Sequence, residues 1–300
     1  MKKPLNLLTP YLFLLPALII LGITVFFPAI QAFYYSFTNY DLIQPPQFIG
    51  FKNFQRLLQD SLFWLTLGHT LLYLIIVVPI LVFLPLGLAI LVNRPLKGIN
   101  WFRAAYYTPV IISLVVAGIA WKFLYAENGL FNQLFIGIWS LTIGKILPAM
   151  EPTAIPWLTS PNFALFSVMA VTIWKGLGYY MIIYLAGLQS ISPEIYEASA
   201  IDGCDGWQKH WLMTVPLMRP YLILVAVISA IAATKVFEEV YIMTQGGPLN
   251  SSKTIVYYVY QSAFQDLEIG YACTIGLVLF LVILALSLLQ LQMQKNQLFS

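Results

Sequence analysis

The sequence predicts an all-α, polytopic membrane protein that crosses a bilayer with six transmembrane helices. Of its 300 residues, 60% are hydrophobic and only 9% are charged, whereas an ordinary soluble domain carries about 25% charged residues. Six predominantly apolar stretches reach the length of about 20 residues that a helix needs to cross the hydrocarbon core. We therefore expect a single transmembrane domain over residues 1–300. The predicted spans are about 11–37, 68–92, 104–125, 163–189, 216–238 and 270–292.

The first apolar stretch begins like a signal peptide but is longer than one. Lys2 and Lys3 precede the apolar run, as the basic region of a signal peptide would. The run is too long for the apolar region of such a peptide and lacks a small-residue cleavage site. We expect it to be retained as the first transmembrane helix.

The distribution of lysine and arginine predicts the orientation of the chain. Cytoplasmic loops carry an excess of these residues. Here the tails and even-numbered loops hold more of them than the odd-numbered loops, so we expect both termini in the cytoplasm. The first group is Lys2, Lys3, Arg94, Lys97, Arg103, Lys209, Arg219 and Lys295, and the second is Lys52, Arg56, Lys145 and Lys253.

Two of the predicted outer loops have room for structure of their own. Residues 51–58 could form a short amphipathic helix at the outer surface. The loop at about 126–161 is long enough for a short helix lying on the membrane, and its Ile and Leu content leaves a re-entrant segment open.

A polar stretch over 192–220 separates the fourth and fifth apolar runs and falls on the predicted cytoplasmic side. Its charge density is unusual for a chain that carries so little charge. A charged stretch between two membrane-length apolar runs must lie in water or against another protein. Its ionisable residues are Glu194, Glu197, Asp202, Asp205, Lys209, His210 and Arg219.

Local rules predict two short helices with a bend between them in residues 192–215. Ser192 can cap the first helix with Pro193 at its first position. Gly203 occupies the place where helices commonly end in a left-handed conformation. Asp205 can cap the second helix, with Gln208 three residues later in a capping-box arrangement. We call residues 192–215 the elbow and expect it to be a docking surface. From composition alone, a structured interhelical loop or an interfacial amphipathic helix is an alternative.

The elbow resembles the cytoplasmic EAA loop of ABC importer permeases, whose pattern is Glu-Ala-Ala, then Asp-Gly-Ala, then Leu-Pro. The matching residues are Glu197, Ala198, Asp202, Gly203 and Pro216. Ser199 and Cys204 replace alanines, Val215 replaces the leucine, and His210 stands where an aromatic residue is more usual. In that family the loop inserts into a cleft of a separate ATPase. The resemblance implies ATPase-coupling roles for Glu197, Ala198, Asp202, Gly203 and Asp205.

Other parts of the chain resemble carbohydrate-type importer permeases. The block at 103–133 is similar to their third-helix region, and YIMTQGGPLNSSKT at 241–254 is similar to the block that marks one of two permease partners of the maltose or glycerol-phosphate type. The resemblance implies a permease subunit for a sugar or related polyhydroxylated solute in the bacterial plasma membrane. Its implied partners are a second permease, two ATP-binding subunits, an extracytoplasmic solute-binding protein and membrane lipid.

The sequence gives no indication of an enzyme. It has no G-x-x-x-x-G-K-[ST] loop to cradle phosphates and no HExxH or G-x-S-x-G motif. Cys204 and Cys273 belong to no CxxC or Cys/His cluster, which argues against a metal site and favours inert thiols. We expect no catalytic residue, metal or cofactor in this chain, so that ATP and Mg²⁺ would be bound by the partner ATPases. Nothing indicates a nucleic-acid partner.

The fourth and fifth spans contain the candidate solute-path residues. Ionisable residues inside a membrane are functional candidates by default, aromatic rings stack on sugar faces, and glycine lets a ligand approach the backbone. The family resemblance places Gly176 and Tyr179 on the path, together with the region that ends at Glu239. The candidates are Trp174, Gly176, Tyr179, Tyr180, Ala233, Lys235 and Glu239.

Structural roles compete with this interpretation. The aromatic cluster could be an outer-leaflet anchor with Lys175 extending to the interface. Lys235 and Glu239 are four residues apart and could form an ion pair along one helix face.

Other functions stay open from the sequence. A glycerol-phosphate or phosphodiester importer shares these blocks. A secondary transporter would have inverted repeats and buried ion sites, and no internal repeat is evident. A membrane scaffold that only recruits a partner is a third class.

Overall fold

The computed structural model describes residues 9–94, 96–142 and 152–298. This part of the chain is helical and contains no strand beyond one isolated bridge between Thr38 and Phe48, as the all-α prediction requires. The helices are α1 (Thr9–Leu21), α2 (Phe27–Tyr35), α3 (Lys52–Gln59), α4 (Ser61–Val92), α5 (Ile99–Ile111), α6 (Leu114–Leu124), α7 (Leu130–Leu141), α8 (Ala164–Gln189), α9 (Pro193–Ile201), α10 (Gly206–Lys209), α11 (Val215–Leu217), α12 (Arg219–Thr234), α13 (Glu238–Met243), α14 (Ile255–Phe264) and α15 (Ile269–Leu298).

Within the described residues, four helical stretches are long and apolar enough to cross a membrane, and two bent helix pairs raise the number to as many as six if each pair counts as one span. A π-helical turn at Gly22–Phe26 joins α1 to α2 and makes them one stretch. Four predicted spans thus correspond to single stretches, and the third and fifth to bent pairs. The four stretches are Pro10–Tyr35, Ser61–Val92, Ala164–Gln189 and Ile269–Leu288.

The third predicted span is broken, although its apolar pattern over 104–125 predicts one continuous helix. Its two halves, α5 and α6, meet at 100°, because Ile112 is extended (φ −67°, ψ 132°) and Ser113 has ψ 139°. Pro109, in the last turn of α5, has no N–H to donate to the preceding turn and weakens the helix there. Hydropathy records only the apolar surface and is blind to this break.

The fifth predicted span, 216–238, differs at both ends. The segment Gly206–Leu217 precedes α12 at an angle of 69°. The Arg219-Pro220 pair begins α12, since proline favours the first turn of a helix. α12 ends at Thr234 and the chain restarts as α13 at Glu238.

The described chain divides into two compact units, residues 9–63 with 258–282 and residues 64–257 with 283–298. The single domain expected from the sequence stays a prediction.

The first unit joins α3 to the chain segments on either side of it. The buried Asn53 donates from Nδ2 to the carbonyls of Ser36 (3.1 Å) and Thr38 (2.8 Å). α3 is the short amphipathic helix expected at 51–58. Its Arg56 forms a bidentate pair with Glu268 at 3.0 and 2.7 Å, and the guanidinium lies 4.1 Å from the centroid of the Tyr271 ring.

Asp60 is the polar centre of the first unit. Its Oδ2 accepts hydrogen bonds from the hydroxyls of Tyr258 (2.6 Å) and Tyr271 (2.5 Å), and its Oδ1 accepts one from the Leu62 N–H (2.8 Å). Partial burial opposes ionisation, but these hydrogen bonds outweigh it, so the pKa of the carboxyl lies below its usual range. Asp60 therefore stays ionised in mildly acidic water and keeps all three bonds.

The second unit has a core of apolar and aromatic side chains, among them the fully buried Tyr73, Tyr184 and Met181. α5 lies directly against α8 in this core. At Gly178 any Cβ would overlap the carbonyl oxygen of Tyr106, so glycine is required for the two backbones to come this close. This contact positions α5, and with it the broken span, against the middle of α8.

Candidate functional site

The elbow has the two-helix shape predicted for it. α9 begins at Pro193, and Gly203 has φ +79°, the left-handed conformation expected at the bend. Two details differ. Ser192 makes no side-chain capping bond, and the Asp205 carboxylate accepts from the N–H of Gly206 (2.6 Å), one residue along, instead of forming a capping box with Gln208. Since Gly206 also has a positive φ of 58°, the chain turns too tightly there for the ordinary cap.

Polar contacts hold the two halves of the elbow together. The Tyr196 hydroxyl and His210 Nδ1 both lie within hydrogen-bond distance of Thr214 Oγ1, at 3.2 and 3.3 Å. The Lys209 ammonium lies 5.3 Å from the centroid of the Tyr196 ring. With this face occupied, the predicted coupling residues are all exposed. They are Glu197, Ala198, Asp202, Gly203 and Asp205.

A cleft of about 230 Å³ in the second unit, here called the Glu239 cleft, brings together five of the seven predicted solute-path residues. It lies between α4, α5, α6, α8, α12 and α13. The five are Gly176, Tyr179, Tyr180, Ala233 and Glu239.

Trp174 and Lys235, the other two, do not line this cleft. Trp174 packs edge-on against Trp121 with ring centroids 5.4 Å apart. Lys235 is exposed at the end of α12. The predicted Lys235–Glu239 ion pair is wrong, because α12 ends before residue 235 and the two residues never share a helix face; no ion pair joins these two described residues.

Glu239 instead ends a chain of hydroxyl groups. Thr172 donates from Oγ1 to Glu239 Oε1 (2.9 Å), and the Tyr73 hydroxyl lies 2.5 Å from the same Thr172 oxygen. Since Thr172 spends its one proton on Glu239, Tyr73 must donate to Thr172. Glu239 is therefore a buried residue, only 8% exposed, whose carboxyl group is held in place by a hydrogen bond.

Lys175 has a role that sequence reasoning missed. Its ammonium donates to the carbonyl oxygens of Pro109 (3.2 Å) and Ile112, and lies 3.5 Å from that of Val110. The last carbonyls of a helix have no partner within it and carry partial negative charge, so Lys175 is the cap of α5. A proline inside the third apolar run, together with a lysine inside the fourth, is the signal that could have suggested this.

Comparison with known proteins places the chain in a family. Residues 63–296 match the model of the family described as "Binding-protein-dependent transport system inner membrane component". The chain is 33% identical to the lactose transport system permease protein LacF of Rhizobium radiobacter (93% of this chain, 92% of LacF). It is 31% identical to the probable starch degradation products transport system permease protein AmyD of Thermoanaerobacterium thermosulfurigenes (96% and 94%).

Among solved structures, a chain of a bacterial alginate ABC transporter, crystallised in complex with an alginate pentasaccharide-bound periplasmic protein, superposes with a TM-score of 0.77 at 25% identity. The match covers 95% of this chain and 93% of that one. The family model spans both the elbow and the Glu239 cleft. The chain is therefore a multi-pass membrane protein and belongs to the family of binding-protein-dependent transport system inner membrane components.

Proposed function

We propose that this chain is a permease subunit of an ATP-driven importer that carries a sugar or related polyhydroxylated solute into the cytoplasm. The observation that carries the proposal is its likeness, over more than nine-tenths of its length, to permeases named for lactose and for starch degradation products. The alginate transporter with its sugar-bound periplasmic protein supports the same solute class.

The proposed assembly contains a second permease chain, two ATP-binding subunits and an extracytoplasmic solute-binding protein in a bacterial plasma membrane. This chain would hold neither ATP nor Mg²⁺. The exposed residues around Gly203 would contact an ATPase, whose closure on ATP would move the elbow and reorient the path. The acidic side chains Glu197, Asp202 and Asp205 suit pairing with basic groups on that partner.

The Glu239 cleft is the proposed position of the solute within this chain. Gly176 has no side chain and leaves room for Leu81 to pack in the wall of the cleft. Tyr179 offers a half-exposed ring, and Glu239 supplies a carboxylate oxygen to accept hydrogen bonds from sugar hydroxyls. Tyr180 and Ala233 complete the wall. Trp174 and Lys235, which lie outside this cleft, have no proposed contact with the solute.

The bend at Gly203 tests the coupling. A β-branched residue at φ +79° is strained, by about 1–2 kcal/mol for a left-handed conformation, while asparagine tolerates that conformation. A Cβ at this position would have no atom within 4 Å, so the two variants differ in backbone strain and not in packing.

In vesicles that hold all subunits, we expect Gly203→Val to lower ATP-dependent uptake of a radiolabelled sugar by roughly tenfold, as about 1.4 kcal/mol would. Gly203→Asn should stay near the wild-type rate. Equal uptake by both variants, in complexes of equal subunit content, would reject the elbow as the coupling element. Wild-type uptake that survives ATP depletion and collapses with an ionophore would reject the importer itself.

A further inference from the structure

A second cleft, here called the Trp157 cleft, encloses about 440 Å³ in the second unit. It lies between the C-terminal end of α6, the segment before α8, and the end of α13 with the loop that follows. All three regions belong to the predicted outer side. None of the seven solute-path candidates lines this cleft, and the proposed function so far makes no use of it.

The aromatic wall of this cleft is fixed in advance. Trp157 and Tyr125 lie with ring centroids 5.7 Å apart at 40°. The indole Nε1 of Trp157 donates to Asn132 Oδ1 (3.2 Å), and the hydroxyl of Tyr125 donates to the Ser167 carbonyl (3.2 Å). Because the polar ends of both rings are engaged elsewhere, a ligand would meet ring surface without first having to order it.

Asn132 makes that arrangement rigid. It is fully buried and donates from Nδ2 to the carbonyls of Ala126 (3.2 Å) and Ile155 (3.1 Å), while its Oδ1 also accepts from the Ile155 N–H (2.9 Å). One amide thus ties the turn after α6 to the segment that carries Trp157. Asn132 therefore fixes the Trp157 ring directly through Nε1 and fixes the backbone of the same segment through Ile155.

The rim of the cleft carries polar groups that are still available. Lys122, Glu127 and Thr159 line it and are exposed. Among the described residues, none forms a hydrogen bond or an ion pair with the side chains of these three. An ammonium donor, a carboxylate acceptor and a hydroxyl beside flat aromatic surface suit a ligand whose hydroxyls both donate and accept and whose ring C–H faces are apolar.

We propose that the Trp157 cleft is an outer binding site for a neutral oligosaccharide, occupied before the solute reaches the Glu239 cleft. This rests on the proposed function and adds a site to it. Continuity supports it, because Met243 lines the Trp157 cleft and Glu239, one helical turn earlier on α13, lines the other. A solute that moves along that face of α13 would pass from the Trp157 cleft directly to the Glu239 cleft.

The test is equilibrium binding of tritiated maltotriose and lactose to the assembled transporter in nanodiscs, without its solute-binding protein. We expect saturable binding of at least one of these sugars to the wild-type complex. Loss of a charged hydrogen bond should make binding about tenfold weaker in Lys122→Met and in Glu127→Gln. Lys52→Met and Asp266→Asn, which remove matching exposed charges from residues of predicted outer loops that do not line the cleft, should bind like wild type.

Three results would overturn the outer site: no saturable binding of either sugar, unchanged binding in both rim variants, or binding that only Glu239→Gln weakens. Rim variants that weaken attachment of the solute-binding protein but not sugar binding would make the cleft a docking surface instead. Sugar uptake is measured on the same complexes. If ATP-dependent uptake is normal and the rim variants bind sugar as the wild type does, the outer site alone is rejected. If the wild type shows no uptake, the proposed function is rejected.

Discussion

Glu238 and Glu239 are adjacent in sequence and opposite in environment. Glu238 is exposed, whereas Glu239 is buried against Thr172 and lines a cleft. Burying a carboxyl group is costly unless hydrogen bonds compensate, and here the structure supplies a chain of two hydroxyls to one of its oxygens. A carboxyl group that is buried, hydrogen-bonded and part of the wall of a cleft is a candidate for contact with the solute.

We expect Glu239→Gln to lower the rate of sugar uptake by about tenfold, the effect of losing one charged hydrogen bond. Glutamine keeps the size of the side chain and can still accept from Thr172, so the change removes charge and little else. Glu238→Gln is the control and should leave uptake near wild type. Initial uptake rates in vesicles measure both, and equal rates for the two variants would give Glu239 a structural role only.

Between elements, the most consequential contact is the one that holds α5 against α8. Gly178 allows the backbones to meet, and Lys175, one turn earlier, donates to the carbonyls at the end of α5. The two residues lie on one face of α8 because they are three apart. α8 therefore fixes both the position of α5 and the place where the third span breaks.

Removing the donor should destabilise this junction. Lys175→Met leaves the carbonyls without a partner, which costs about 2 kcal/mol and should lower the Tm by roughly 3 °C in a chain of this size. Lys175→Arg keeps a cation with several donors and should recover most of that loss. Thermal unfolding in detergent measures the effect, with Lys97→Met as an exposed control; a Tm unchanged in Lys175→Met would show that the cap is dispensable.

Sequence rules succeeded where the cause of a feature is local. The left-handed bend at Gly203 and the short helix around 52–59 depend on a few neighbouring residues, and both were predictable. The predicted Lys235–Glu239 pair failed because it assumed a helix that ends at Thr234, and the role of Lys175 was missed because its partners are more than sixty residues away. Five of the seven path candidates share a cleft, but their distances depend on packing that no pattern in one sequence contains.

For the whole molecule, orientation in the membrane decides whether the elbow can meet an ATPase. The chain has a natural reporter, since Cys204 lies half-exposed at the elbow and the other cysteine, Cys273, lies in the last span. We expect a membrane-impermeant maleimide to label Cys204 only when the reagent can reach the cytoplasmic side of the membrane. Cys204→Ser should abolish that labelling.

A second position checks the opposite face. In the Cys204→Ser background, Asp266→Cys introduces an exposed thiol in a predicted outer loop and should be labelled in intact cells. The reverse pattern at these two positions would invert the proposed topology.

In its most apolar part, the first span, Pro10–Tyr35, has no residue buried by the rest of the described chain. Its side chains include exposed residues such as Phe13 and Ile30, and a contiguous apolar surface of this kind marks contact with a membrane or a partner. This agrees with the proposed setting, in which lipid and a companion permease surround the chain.

The close approach at Gly178 also determines how the protein can change over time. That contact is made by the main chain on both sides, so no replacement at position 178 can be accommodated by altering a neighbouring side chain. Position 106 is the reverse case, because it contributes a carbonyl group that every amino acid possesses. Within one pair of touching residues, substitution should therefore be almost forbidden at the glycine and freely tolerated at the tyrosine.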